Sequence, residues 1–222
     1  MGARRAGNRR RLYSLNKLGQ SVTNVAGQGV ASGMVSSTII RNGHQITTEF
    51  AIDLSPASGG FRARGTSGDI IGLSGALGAA DSFAPNHQPA GLGRLTISEN
   101  GHLIGAEMVC LEAPISGSAK INLVLNSVDT LTYDSAYNAG GGSADIIITG
   151  SADWSLGDSK RWTPDLRGTL MAGGTLPTSG NVPGELGYVY LFQGDNGFSS
   201  PSTYLAGKYV IRFHGIAVPE DK

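Results

Sequence analysis

A chain of 222 residues with 34 glycines and only 15% charged residues is long enough for one domain with a real core and too poor in helix formers for a helical one. No stretch approaches the ~18 consecutive apolar residues of a membrane-crossing helix. The single cysteine, Cys110, excludes both an internal disulfide framework and a cysteine-built zinc site.

The formal net charge of zero hides two opposed parts. Residues 1–48 carry seven Lys/Arg and no Asp/Glu, giving +7, whereas residues 49–222 carry ten basic and seventeen acidic side chains, giving −7. Such asymmetry marks an interaction tail on a separate folded body. The first twenty residues, "MGARRAGNRRRLYSLNKLGQ", hold five arginines and one lysine. They do not form a secretory signal, because no apolar run follows the arginines. A mitochondrial-type presequence fits their composition, but "SVTNVAGQGVASG" lacks an amphipathic pattern. A solvated tail and a segment that docks on an acidic partner remain. Leu12, Tyr13, Leu15 and Leu18 among the charges favour a protein surface over bare phosphate. The candidate docking residues are Arg4, Arg5, Arg9, Arg10, Arg11, Leu12, Tyr13, Leu15, Lys17 and Leu18. The division placed on the chain is a basic arm over 1–32 and a single β-sandwich domain over 33–222.

Along the body, Ile46, Thr48, Phe50, Ile52 and Leu54 alternate with Thr47, Glu49, Ala51 and Asp53, the period of a half-buried strand. The "RNGH" at 41–44 before it predicts a two-residue hairpin turn at Asn42-Gly43. Residues 55–93 are rich in glycine and proline and read as a long ordered loop with one short element around Ile70–Leu73. Loops of that length carry binding or pack against a partner. In "GRLTISENGHLIGAEMVCLEAP", Asn100-Gly101 predicts a hairpin turn between Leu95/Ile97 and a strand from His102 to Leu111. On that strand Ile104, Ala106, Met108 and Cys110 share one face, and Leu103, Val109 and Leu111 the other. Apolar residues on both faces predict a central strand. Further strands follow in "SAKINLVLNSV", where Ile121, Leu123 and Leu125 oppose Lys120, Asn122 and Asn126, and in "ADIIITGSA". After a broken stretch over 150–185, two more strands close the chain, "GYVYLFQGDNG" and "GKYVIRFHGIAV". Seven or eight strands without a long helix predict an all-β fold, an antiparallel β-sandwich of jelly-roll type with an extended basic N-terminal arm.

The search for chemistry returns little. His44, His87, His102 and His214 are scattered without HExxH or similar spacing. "SGDIIG" and "QGDNG" each offer one carboxylate, which suits an aspartate bracing a glycine turn better than a calcium loop. No GxSxG elbow or P-loop occurs, and Cys110 in an apolar strand reads as a buried small hydrophobe. The expectation is a non-enzymatic protein with no catalytic residue, cofactor or metal. Trp154, Trp162, Tyr188, Tyr190 and Tyr204 raise a second reading, a carbohydrate platform of exposed aromatics, against the commoner use of such residues in a core.

The order "GTSGDIIG" (65–72), "LGRLTISENGHLIGAEMVCLEAP" (92–114), "INLVLNSVDT" (121–130) and "YVYLFQGDNGFSSPSTYLAGKYVIRFHG" (188–215) resembles virion structural proteins of tailed phages, especially marine and cyanobacterial ones. The likeness covers about 150 residues of the body and leaves out the arm. It implies a small β-rich component of the particle, a capsid decoration or cement protein. Such a protein would sit on the capsid exterior of the virion, assembled in the host cytoplasm, with the major capsid protein as partner. The resemblance further implies a homo-oligomer, a trimer first. No membrane partner is expected, and nucleic acid, the rival partner for the arm, is disfavoured because the body is net negative and the arm mixes apolar residues with its charges. The alternative it leaves is a head-fibre or tail component with a carbohydrate-binding β-sandwich.

Overall fold

The computed structural model describes residues 34–55, 60–63, 66–72, 90–129, 131–139, 144–150, 152–163, 185–194 and 202–217. In chain order the strands are β1 (Val35–Asn42), β2 (Gln45–Asp53), β3 (Arg62–Ala63) and β4 (Gly93–Thr96). A single helical turn, α1 (Ile97–Asn100), leads to β5 (His102–Ile115), β6 (Ile121–Asn126), β7 (Ala144–Ile148) and β8 (Ser159–Trp162). The chain closes with β9 (Glu185–Gln193), β10 (Ser202–Thr203) and β11 (Ala206–Ile216).

Two antiparallel sheets enclose the core. One has the order β1-β2-β11-β5-β8 and the other β4-β9-β6-β7, with a two-stranded β3-β10 pair beside them. The pairings nest: β2 with β11, β3 with β10, β4 with β9, β5 with β8, and β6 with β7. The chain therefore behaves as one long hairpin whose arms were rolled so that successive rungs alternate between sheets. That is the jelly roll expected from the strand count.

The core lies between the sheets because each strand presents one face to it. On β2, Ile46, Phe50 and Ile52 are buried, while Gln45 and Ala51 are exposed and Glu49 is half-buried. From β11, Tyr209, Ile211 and Phe213 point inward, and the Phe50 and Phe213 rings meet edge to face at 6.0 Å. Ile121, Leu123 and Leu125 of β6 enter the same cluster, on the face predicted for them.

The outer face of the β4-β9-β6-β7 sheet is also covered. Val124, Tyr190 and Phe192 pack there with Ile70, Ala90 and Leu131. Tyr137 stacks on Phe192 at 4.5 Å. Asn126 ties the cover down, donating to the Tyr137 carbonyl and accepting from the Val128 amide, both at 2.7 Å. The described parts of the 55–93 loop thus pack on the protein's own sheet, with Ile70 and Ile71 fully buried. Residues 73–89 lie outside the described residues.

Three sequence expectations need correction. First, the turn of the β1–β2 hairpin is Gly43-His44, because Asn42 pairs with Gln45. Gly43 takes φ +63° at the first turn position, where a primed turn demands a residue free of a Cβ. Second, no hairpin joins β4 to β5, since the two strands belong to different sheets. Thr96 instead caps α1, its hydroxyl accepting from the Glu99 amide, and Gly101 ends the turn at φ +69°. Here Thr-x-x-Glu acts at a helix start, and the crossing is tight enough that a Cβ on Gly101 would lie 2.3 Å from the Ile216 carbonyl oxygen. Third, the faces of β5 are not those of strict alternation. Gly215 pairs with Leu103 while His214 pairs with Gly105, leaving Ile104 as an extra, bulged residue. The bulge shifts the phase, so Leu103, Ala106, Met108 and Cys110 all face the core and Ile104 turns out. The strand is nevertheless interior to its sheet, between β11 and β8.

Candidate functional site

The ten predicted docking residues of the arm, Arg4 to Leu18, lie outside the described residues, as does His87. The body supplies two things to weigh: its buried polar groups and the outer face of the β1-β2-β11-β5-β8 sheet, which is left without a cover among the described residues.

The aromatic platform is not formed. Trp154 is 2% exposed, with its indole N–H donating to the Ile121 carbonyl at 2.8 Å. Tyr190 and Tyr204 are buried and donate to the Val128 and Ser118 carbonyls. Trp162 is half-buried against the core, and Tyr188 packs on the second cluster. Three of the five side chains needed as a sugar-stacking surface are therefore buried in the two hydrophobic clusters, and Trp162 and Tyr188 are each packed against one of them.

Cys110 is fully buried, and burial pushes its thiol pKa above the ordinary value. It stays protonated at neutral pH, the opposite of an activated nucleophile. His44 and His102 are exposed at the ends of β2 and β5, and His214 is half-buried on the outer face of β11. Among the described residues no three His, Cys, Asp or Glu side chains converge as a metal site would require.

The outer face of the β1-β2-β11-β5-β8 sheet carries an organised charge pattern. Strand register places Glu49, Arg212, Glu107 and Arg161 side by side on β2, β11, β5 and β8. Arg212 reaches Glu49 at 2.7 Å and Glu107 at 3.0 Å, and Arg161 lies 3.5 Å from the other oxygen of Glu107. The row reads minus, plus, minus, plus. Glu49 and Glu107 together hold the Arg212 guanidinium more firmly charged than usual. A second row sits toward one end, where Lys208 bonds Glu112 at 2.9 Å and lies 3.9 Å from Asp53. Glu112, then Asp53, raise the Lys208 ammonium pKa. Between the rows lie Val210 and Val109, in register with each other. Toward the opposite end, Ile104 and Ile216 are 44% and 43% exposed.

Sequence reasoning missed this ladder. The available signal was a charged residue at outward parity within each apolar strand, as in "TTEFAID", "GAEMVC" and "YVIRFHG". Which charge meets which depends on register between strands far apart in sequence, and the β5 bulges reset that register.

Comparison with known proteins returns no match to a family model, a curated protein or a solved structure.

Proposed function

We propose that this is a non-enzymatic structural protein of a tailed-phage virion, a capsid decoration or cement protein. In this reading its body sits on the outside of the shell and its basic arm binds the major capsid protein. The observation that carries the reading is the pairing of an acid-free arm over residues 1–32 with six Lys/Arg, +6, with a jelly-roll body over residues 33–222 that carries eleven basic and seventeen acidic side chains, −6. Jelly rolls serve capsids and lectins alike, and fold alone does not choose between them. The burial of Trp154, Tyr190 and Tyr204 weighs against the lectin-like alternative, a fibre or tail component that stacks sugars.

A cement protein must grip many equivalent positions on a shell. Ordering an arm costs on the order of 1–2 kcal/mol per residue, and exposed ion pairs return only about 0–1 kcal/mol each. The leucines and tyrosine of "RRRLYSLNKL" are therefore the groups that would make such binding net favourable, with the arginines steering the approach. The test is shell stability. Adding the protein to expanded, DNA-free shells of the phage that encodes it should raise their disassembly temperature, saturating at a fixed ratio to the capsid protein. Unchanged shell melting at saturating protein would refute the cement role.

A further inference from the structure

We infer that the open face of the β1-β2-β11-β5-β8 sheet is an interface for a second copy of this chain, related by a two-fold axis that runs parallel to the strands between β11 and β5. The inference stands on the geometry of this face and does not rest on the capsid reading.

A two-fold axis in the plane of a contact lays a face on its own mirror order: β11 over the partner's β5, and β2 over its β8. Most charge patterns would then set like against like. A row of four that alternates in sign, with ends of opposite sign, is matched instead. Glu49 comes over Arg161 of the second copy and Arg212 over its Glu107. The second row obeys the same rule, Lys208 meeting Glu112 of the other copy. Between the rows, Val210 is placed over the opposing Val109. These matches follow from the registers Arg212 with Glu107, Val210 with Val109, and Lys208 with Glu112. Isologous contacts of this kind require a self-complementary patch. The first row and the Lys208–Glu112 pair of the second satisfy that requirement on one axis, while Asp53 has no charged counterpart in register on β8.

Two further observations fit this occupant. Among the described residues this is the sheet face left without a cover, while the opposite sheet is capped by the Ile70 and Leu131 segments. At about 4.8 Å spacing, β11 and β5 overlap over about 35 Å, and β2 overlaps the four-residue β8 over only about 13 Å, so the face presents roughly 450 Å² per copy. That gives about 900 Å² in total, the size of a weak, concentration-dependent contact. Two sheets of like twist stack in the aligned manner, turned by about 30°, which keeps the central strands β11 and β5 over one another.

The geometry makes a specific exchange prediction. Lys208→Glu sets a new carboxylate against the other copy's Glu112, and Glu112→Lys sets a new ammonium against its Lys208. Each variant alone brings like charges together twice per dimer, whereas a mixed pair has both contacts matched. Both side chains are well exposed, 49% and 43%, so neither substitution threatens the core. The full-length protein is measured by light scattering over a concentration series, with circular dichroism and thermal unfolding as fold controls. The wild type should be a dimer, each variant should dissociate at least about tenfold more readily, and the equimolar mixture should regain dimers. Should either variant misfold, Val109→Lys on the same face replaces it and should give a monomer. A wild-type monomer or trimer, single variants that dimerise like the wild type, or a mixture that stays monomeric would each overturn the inference.

Discussion

Tyr209 and Cys110 are register partners on β11 and β5, on the core side of the open face. The Tyr209 hydroxyl is buried without a hydrogen-bond partner of proper geometry, and its ring meets Trp154 edge to face at 5.6 Å. Burial, then the nearby thiol, raise its pKa well above the ordinary 10.0, and burial raises Tyr190 likewise. The linkage follows from proton counting. An acid whose folded pKa lies above its unfolded one keeps its proton in the native state after the unfolded chain has released it. Stability is then fully present below the unfolded value and is lost as pH rises through the folded one. Cys110, raised from 9.0, acts in the same sense. Urea midpoints should be level from about pH 7 to about pH 8 and fall at higher pH, first as the unfolded thiol and then as the unfolded tyrosines ionise. Tyr209→Phe keeps the ring and removes the unpartnered hydroxyl, so at neutral pH it should be neutral or stabilising by roughly 1 kcal/mol. It should also make the alkaline fall shallower. A substitution that is clearly destabilising at pH 7, or an unchanged alkaline slope, would show that the hydroxyl has a partner after all.

At the scale of elements, the β4-α1-β5 crossing is one of the passages of the chain from one sheet to the other. Asn100 is 1% exposed, accepts from the Thr96 amide at 2.7 Å, and donates to the Thr48 hydroxyl at 2.6 Å. It thus holds the helical turn to a strand of the facing sheet. Asn100→Ala leaves both partners unsatisfied and should cost about 1–3 kcal/mol in urea unfolding. A loss below about 0.5 kcal/mol would mean that the turn is held by its cap alone. The same crossing shows what was legible in the sequence and what was not. Alternation in "QITTEFAID" and "INLVLN" located strands and their core faces, because period two is a local property of one strand. Asn100-Gly101 looked like a hairpin turn, because the pair accepts positive φ wherever it occurs. Only the Thr96-x-x-Glu99 spacing hinted that a helix starts there. β8, "SKRW", went unseen because four residues, two of them charged, carry no periodic signal. The Ile104 bulge is set by β11, whose partnership with β5 spans about a hundred residues. Register between distant strands has no local signature, so the charge ladder could not be assembled from the chain alone.

For the whole molecule, opposite charge is divided between the first 48 residues and the rest. A nucleic-acid role for an arm of +6 is electrostatically adequate, but it would bring a net-negative body toward phosphate. The apolar residues Leu12, Tyr13, Leu15 and Leu18 are of no use to a purely ionic contact. The measurement that separates these roles most directly is co-sedimentation with empty, DNA-free shells, comparing the full chain with one lacking residues 1–20, alongside DNA retardation of both. If the arm is a capsid anchor, the full chain pellets with the shells and the shortened chain is largely left in the supernatant. Equal pelleting of the two, with DNA retardation lost on truncation, would contradict the anchor and assign the arm to the genome.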